Sequence, residues 1–276
     1  MPISPVKLSL ITVCYNAADL IQATLQSALN QSFKDFELVI IDGGSTDNTL
    51  SLLEPFKPYI GALVSEKDKG IYDAMNKGVK LAKGEWVYFL NAGDSFYHPE
   101  VLKDVFNHPA SFTSDFIYAK VQTLNEPTGV DYVAGEPVSF QDFYFKYPIC
   151  HQASFAKRKL FTQIGYFETN YKLISDTEWF IRLFRNAEIK TNFIDEVVAF
   201  YDITGATYQK RMLGMREYIH AGFKYFPLQI ALLNLFSYPI IWLKVKVIRA
   251  FQHTFWFKAY RKWKFNKQLA QYSHES

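Results

Sequence analysis

From residue 8 onward the chain alternates short, unbroken apolar runs with stretches whose apolar positions recur every three or four residues. Leu8 to Val13 is the first run. After polar Tyr15-Asn16 a helical pattern starts at Asp19, with Ile21, Leu25, Ala28 and Leu29 on one face. Phe36 to Ile41 is the second run, continuous through Leu38, Val39, Ile40 and Ile41, as expected of a strand covered on both faces. It stops at Asp42-Gly43-Gly44-Ser45-Thr46-Asp47, where Ser45 and Thr46 are expected to cap a short helix. A weaker run, Ala62 to Val64, leads through Glu66-Lys67-Asp68-Lys69-Gly70 into a helix bearing Ile71, Met75, Val79 and Ala82 on one side. Trp86 to Leu90 is the fourth strand and ends at Asn91-Ala92-Gly93-Asp94. Strands alternating with helices over short connections predict an α/β fold, a doubly wound, mainly parallel sheet with helices on both faces.

The polar clusters all follow the C-terminal end of an expected strand, the edge where open α/β sheets bind ligands. Singly, Asp, Asn and Gly are ordinary turn residues; four such loops on one edge predict a shared crevice. Neither a Gly-x-Gly-x-x-Gly after the first strand nor a Gly-x-x-x-x-Gly-Lys-Ser/Thr occurs, so the usual glycine-rich phosphate cradles are missing. A bound diphosphate then calls for a hard divalent cation held by a carboxylate, with Asp94 the best-placed one.

These residues carry a resemblance. Leu10 to Asn16, Asn30-Gln31-Ser32-Phe33, Asp42 to Asp47, Asp68 to Gly78 and Leu90 to Asp94 resemble, in order, the successive motifs of the family 2 inverting glycosyltransferases. The likeness runs on through His151-Gln152, Ile164-Gly165-Tyr166-Phe167 and Asp176 to Leu183, ending at Tyr201-Asp202-Ile203-Thr204-Gly205. It implies the GT-A, nucleotide-diphospho-sugar transferase fold. It also implies that Tyr15, Asn16 and Asp42 hold the donor nucleoside and that Asp68, Asn76 and Asn91 lie on the donor side. Asp94 would bind Mn²⁺ or Mg²⁺, His151 would meet the acceptor, and Asp176 would be the general base that takes the acceptor hydroxyl proton. Acids usual in the family are replaced here by Gly43, Asn91, Gly93 and Ser175. Asp176 also reads as a cap of a helix from Thr177 to Phe184, and Arg182 is expected to pair with a nearby acid.

Composition changes the picture mainly at the C-terminus. Over 276 residues, 49% hydrophobic and 21% charged, disorder and fibre are excluded. Two cysteines, Cys14 and Cys150, give no disulfide or metal framework and fit a reduced compartment. Met1 to Lys7 has no apolar run of signal length, so a cytoplasmic location is expected. The net charge of +3 conceals a split: Tyr218 to His274 carries nine Lys and Arg and no acid, while residues 1–217 hold 21 basic and 26 acidic residues. A GT-A domain over 1–217 and a helical, basic, aromatic region over 218–276 are the expected division. Tyr225 to Leu243 is uncharged, Pro239 is expected to interrupt any spanning helix, and Trp242, Phe255, Trp256, Phe257, Tyr260 and Trp263 mingle with cations beyond it. That mixture suits peripheral attachment to an anionic membrane on its inner face, ahead of a single span or an aromatic cap on the domain. Nucleic acid is not expected, since no nucleic-acid motif accompanies the charge. The sequence reading is therefore an inverting, metal-dependent transferase moving a sugar from a nucleotide-diphosphate sugar, a UDP-sugar foremost, to a lipid-linked or surface-polysaccharide hydroxyl. A non-catalytic, membrane-associated scaffold of the same fold is the alternative.

Overall fold

The computed structural model describes residues 6–124, 131–202 and 209–251, together with Thr254 and Ala259. The chain divides into two compact units, residues 1–122 with 133–201, and residues 123–132 with 202–276.

In the first unit the expected series forms β1 (Leu8–Cys14), α1 (Ile21–Leu29), β2 (Phe36–Asp42), α2 (Thr49–Leu52), β3 (Ile60–Ser65), α3 (Ile71–Leu81) and β4 (Trp86–Phe89). All four strands are parallel, with β1 between β2 and β4 and β2 between β1 and β3. No position of β1 is exposed, which is why Leu8–Cys14 is unbroken in its apolar character apart from Ser9 and Thr12. Ser9 is satisfied there, its hydroxyl donating to Glu37 at 2.6 Å and accepting from the Gly84 N–H at 2.9 Å. One detail departs from expectation. Ser45 and Thr46 do not cap α2; the Asp47 carboxylate accepts from the Thr49 N–H at 3.0 Å instead, because Ser45 is drawn towards Asp42 and Thr46 towards Asn16.

Beyond β4 the alternation ceases and the sheet continues antiparallel. The elements are β5 (Ser95–Phe96), α4 (Val101–Asn107), α5 (Ala110–Thr113), β6 (Phe116–Leu124), β7 (Val133–Ala134), β8 (Ser154–Lys157), α6 (Leu160–Gln163), α7 (Ser175–Arg185) and β9 (Thr191–Asp202). The sheet order is β3-β2-β1-β4-β8-β6-β9-β5, with β7 on β6. β8 is antiparallel to both β4 and β6. Aromatic side chains fill this half. Tyr88 packs between Phe96 and Phe155, at 5.1 and 4.6 Å between ring centroids, and Phe161 stacks on Trp179 at 4.7 Å.

α7 begins at Ser175, two residues earlier than expected, so Asp176 lies within its first turn. The helix is moored by a buried ion pair. Glu178 has no exposed surface, and Arg182 donates to both its carboxylate oxygens, with Nη2 to Oε2 at 2.8 Å. The same guanidinium donates to the carbonyls of Ile164 and Gly165 and, at 2.7 Å, of Tyr166. Trp179 Nε1 adds a bond to the Gly165 carbonyl at 2.9 Å. Gly165 has φ +89, and a side chain there would sit 3.1 Å from Arg182 Nη1, so glycine is required on both counts.

The second unit holds α8 (Arg211–Tyr225) and α9 (Leu228–Phe251). They pack through Ala221, Ala231 and Asn234, all buried, with Tyr218 against Phe226 at 6.0 Å between centroids. Arg216 Nε donates to the Tyr238 hydroxyl at 3.0 Å. Pro239 does not interrupt α9: the helix runs through it, giving up one backbone hydrogen bond. No described helix is long and apolar enough to cross a membrane. Ile203, Thr204 and Gly205, and the aromatic and basic residues singled out from Phe255 to Lys267, lie outside the described residues.

Replacing Arg182 by Met is expected to strand the Glu178 carboxylate in the interior and destabilise the protein by about 3–5 kcal/mol. Urea unfolding at neutral pH measures this; a loss under about 1 kcal/mol would remove the pair from its mooring role.

Candidate active site

The loops after β1 and β2 are stitched together by side chains. Asn16, with φ +47, accepts from the Thr46 N–H at 2.9 Å through Oδ1 and donates its own N–H to Ser45 Oγ at 2.8 Å. Asp42 is the hub. It has no exposed surface, and it accepts from the N–H groups of Gly44 and Ser45 at 3.2 and 3.0 Å and from the hydroxyls of Ser45 and Ser65, the latter at 2.6 Å. Burial alone would raise its pKa, but these hydrogen bonds outweigh burial and hold it below the usual carboxylate value. Cys14 Sγ lies 3.8 Å from it, and burial and the Asp42 charge push the thiol up to about 12. Asp42 and Asn16 are expected as donor contacts; here the Asp42 carboxylate and the N–H and Oδ1 of Asn16 are bonded to the loops and shape the crevice from within. Asn76 is likewise bonded within the protein. Its amide both donates to the Phe167 carbonyl at 2.8 Å and accepts from the Phe167 N–H at 3.0 Å, a buried clamp joining α3 to the segment before α7.

A cavity of about 340 Å³ opens on this scaffold, lined by Tyr15, Gly43, Gly44, Lys67 and Asp68. The Tyr15 ring is 61% exposed and offers a flat face. A side chain at position 43 would run into the Asp68 carboxylate, whose Cγ lies 3.2 Å from where Cβ would be. Glycine at 43 thus leaves the room that Asp68 occupies. Asp68 also accepts from the Gly70 N–H at 2.8 Å, just before α3 begins.

The second polar cluster gathers on the turn His151–Ala153. His151 Nδ1 lies 3.2 Å from Asp176 Oδ2, and its Nε2 lies 3.1 Å from the Asn91 amide nitrogen. A carboxylate only accepts, so Nδ1 carries the proton and Nε2 offers its lone pair to the Asn91 NH₂. Burial, the largest influence, pulls the His151 pKa down, but the hydrogen bond and charge of Asp176, with the charge of Asp94, raise it on balance. Asp176 Oδ1 accepts from the Tyr72 hydroxyl at 3.0 Å and from the Thr177 N–H at 2.7 Å. His151, expected on the acceptor side, therefore has both nitrogens engaged within the protein and acts as a brace for Asp176. Asn91 likewise faces His151.

Gln152, the neighbour of His151, donates to Asp94 Oδ1 at 3.3 Å, and the Asn91 N–H donates to Asp94 Oδ2 at 3.2 Å. Burial pushes the Asp94 carboxyl up to about 6, against the opposing effects of His151, Gln152 and Asn91. Asn91 Oδ1 is buried with no hydrogen-bond partner. A carboxylate held up by burial and an orphaned amide oxygen in the same loop are hard oxygen donors lacking a positive partner, which fits a divalent cation. Among the described residues no group of three or more acidic, His or Cys side chains surrounds such an ion. Asp94 and Asn91 would supply only part of its shell, the remainder coming from phosphate oxygens or water.

Lys67, Tyr72 and Gln152 are the functional candidates that sequence reasoning passed over. Tyr72 and Asn76 lie four apart and so on one face of α3, a signal visible in the sequence. Gln152 belongs to the His151-Gln152 motif of the resemblance, but its contact with Asp94 spans 58 positions and leaves no local pattern.

Residues 9–213 match the model of the family described as Glycosyl transferase family 2. The chain is 38% identical over 205 residues to a PGL/p-HBAD biosynthesis glycosyltransferase of Mycobacterium bovis, covering 71% of this chain and 77% of that one. It is 34% identical over 119 residues to the poly(ribitol-phosphate) beta-N-acetylglucosaminyltransferase TarP of Staphylococcus aureus, covering 41% of this chain and 36% of that one. In fold it is similar to S. aureus TarS 1–349 in complex with UDP-GlcNAc, with TM-score 0.61 and 22% identity, over 78% of this chain and 66% of that one.

The raised Asp94 carboxyl sets a pH dependence. With an ordinary value near 3.8 unfolded and about 6 folded, the folded state binds the proton more tightly, so ionisation of Asp94 costs stability as pH rises from about 4 to 6 and beyond. In chelator, Asp94→Asn is expected to be more stable than wild type by about 1–3 kcal/mol at pH 7, a gain that vanishes below about pH 4. Urea melts at the two pH values measure it, and a pH-independent difference would contradict the burial of this group.

Proposed function

As this chain belongs to glycosyl transferase family 2 and is a glycosyltransferase, we propose that it is an inverting enzyme using a divalent cation, Mn²⁺ or Mg²⁺. Its donor is a nucleotide-diphosphate sugar, in the first instance a UDP-sugar, and its acceptor is a hydroxyl of a lipid-linked or surface polysaccharide. One observation carries the reading: two carboxylates of different character are tied to adjacent residues of one turn, Asp176 to His151 and Asp94 to Gln152.

Asp176 suits the base. Oδ1 is occupied by the Tyr72 hydroxyl and the Thr177 N–H, while among the described residues Oδ2 meets only His151 and keeps a lone pair for an incoming hydroxyl. The Tyr72 hydroxyl and the Thr177 N–H are neutral donors that hold the carboxylate still, and His151 orients its second oxygen. The acceptor oxygen attacks the anomeric carbon on the face away from the diphosphate. As that C–O bond forms, the bond to the diphosphate oxygen breaks with its electron pair, and the hydroxyl proton passes to Asp176. A single displacement of this kind inverts the anomeric centre. Asp94, with Asn91 Oδ1, would hold the cation, which supplies charge stabilisation to the departing diphosphate. The cavity beside Tyr15, Lys67 and Asp68 has what a nucleoside needs: a ring face for the base, a carboxylate for N–H or hydroxyl donors, and a cation for phosphate. The UDP-GlcNAc bound by TarS 1–349 and the polymer acceptor and beta product in the name of TarP support donor, acceptor class and stereochemistry.

Asp176→Asn is expected to bind the donor normally and to lose transfer by about 10²–10⁴-fold, read from the anomeric configuration and rate of product formation by NMR. Transfer within a few-fold of wild type would displace Asp176 as base. Asp94→Ala is expected to abolish the Mn²⁺-dependent part of nucleoside-diphosphate binding in calorimetry. Equal metal-dependent affinity in the two proteins would refute the cation site.

A further inference from the structure

The transfer chemistry makes no use of α9. Leu228, Leu232, Phe236, Ile240, Leu243 and Val247 follow one another at intervals of three or four residues and so form a single stripe along the helix, each between 36% and 71% exposed. Over 24 residues the helix reaches about 36 Å. Its other side is occupied, since Ala231 and Asn234 are buried and Tyr238 accepts from Arg216 of α8. An exposed aliphatic and aromatic stripe of this length exceeds what a solvated helix face ordinarily presents.

We propose that this stripe is a bilayer-docking face, with α9 lying in the plane of an anionic membrane surface rather than crossing it. Three observations select this occupant. First, charge is graded along the chain: Tyr225 to Leu243 is uncharged, then come Lys244, Lys246 and Arg249, and no acid occurs between Tyr218 and His274. A second copy paired across the stripe would bring two sets of cations together with no acid to answer them, whereas anionic headgroups answer them directly. Second, Lys246 Nζ lies 4.1 Å from the centroid of the Trp242 ring, a ring and cation placed together as at headgroup depth. Third, no described helix is long and apolar enough to cross, and the side of α9 opposite the stripe is already covered by α8, which leaves the stripe as the face open to a surface.

The test uses the full chain and vesicles of phosphatidylcholine, alone or mixed with phosphatidylglycerol, at low and high salt. Wild type is expected to co-sediment with the mixed vesicles and not with phosphatidylcholine alone, and to release several-fold in high salt as screening removes the cation contribution. The double variant Phe236→Glu, Ile240→Glu replaces two side chains that are each 71% exposed, so folding should be retained. It is expected to lose vesicle binding at least about tenfold while melting temperature and donor hydrolysis stay at wild-type values. Those two readouts separate this proposal from the assignment of the active site. Vesicle binding unchanged in the double variant, or absent in wild type, would overturn the proposal. So would light scattering that shows a wild-type dimer and a monomeric variant, which would give the stripe to a second copy. Binding that ignores lipid charge and salt would overturn the anionic-surface assignment.

Discussion

Parallel strands end abruptly, and the backbone beyond their last shared hydrogen bond has to be satisfied by something other than the sheet. In this protein that demand falls on the Asp42 carboxylate. It gathers two N–H groups and one hydroxyl from the loop after β2 and one hydroxyl from the last residue of β3, and Asn16 ties the loop after β1 to the same knot. Every wall of the neighbouring cavity derives from this arrangement: Tyr15 precedes Asn16, Gly43 and Gly44 follow Asp42, and Lys67 and Asp68 leave β3 just beyond Ser65. Loosening the knot would move all five lining residues at once, so a residue with no exposed surface governs the shape of the exposed site.

The acids of the first unit illustrate how environment assigns different work to one functional group. Asp42 is saturated with donors and held ionised, which makes it a structural anion. Glu178 is as deeply buried but is matched by the Arg182 guanidinium, and the pair fixes both the start of α7 and the loop from Ile164 to Tyr166. Asp94 is underserved, with only Gln152 and one backbone N–H, and burial raises its proton affinity. Asp176 is oriented by the Tyr72 hydroxyl and His151, on two elements far apart in sequence. A saturated acid stabilises, an underserved one attracts a cation or a proton, and an oriented one with a free lone pair can take a proton during a reaction.

Much of this was legible beforehand. The unbroken apolar runs of β1 and β2 announced strands covered on both faces, and the loops ending at Asn16, Asp47, Asp68 and Asp94 announced the binding edge. In the antiparallel half, β5 and β7 are two residues long and β8 four, too short to print a period on the sequence, whereas β6 and β9, of nine and twelve residues, were long enough and went unread. The contacts of Asn16, Asp42 and Asn76 within the protein were not legible for a different reason. Residue type reveals that an amide or carboxylate will seek partners, but only register and packing decide whether those partners are a ligand or the protein's own backbone. Phe167 lies 91 positions from Asn76, and Asp176 lies 104 positions from Tyr72, distances over which no local pattern speaks. Helix starts erred by a similar mechanism: Ser45 was claimed by Asp42, leaving Asp47 to serve α2.

The thiol of Cys14, locked between β1 and β2 beside Asp42, has a consequence for how the protein can be handled. With its pKa near 12, about one molecule in 10⁵ holds the thiolate at pH 7, and the thiolate is the form that reacts with alkylating reagents. Cys150 is shielded as well, its ionisation suppressed by burial while its S–H is engaged by Gln152 Oε1 at 2.8 Å. Cys14 becomes an ordinary reactive thiol only when the strands around it open. Alkylation of Cys14 therefore works as a clock for opening of the strands β1 and β2 around it, with no label to be introduced.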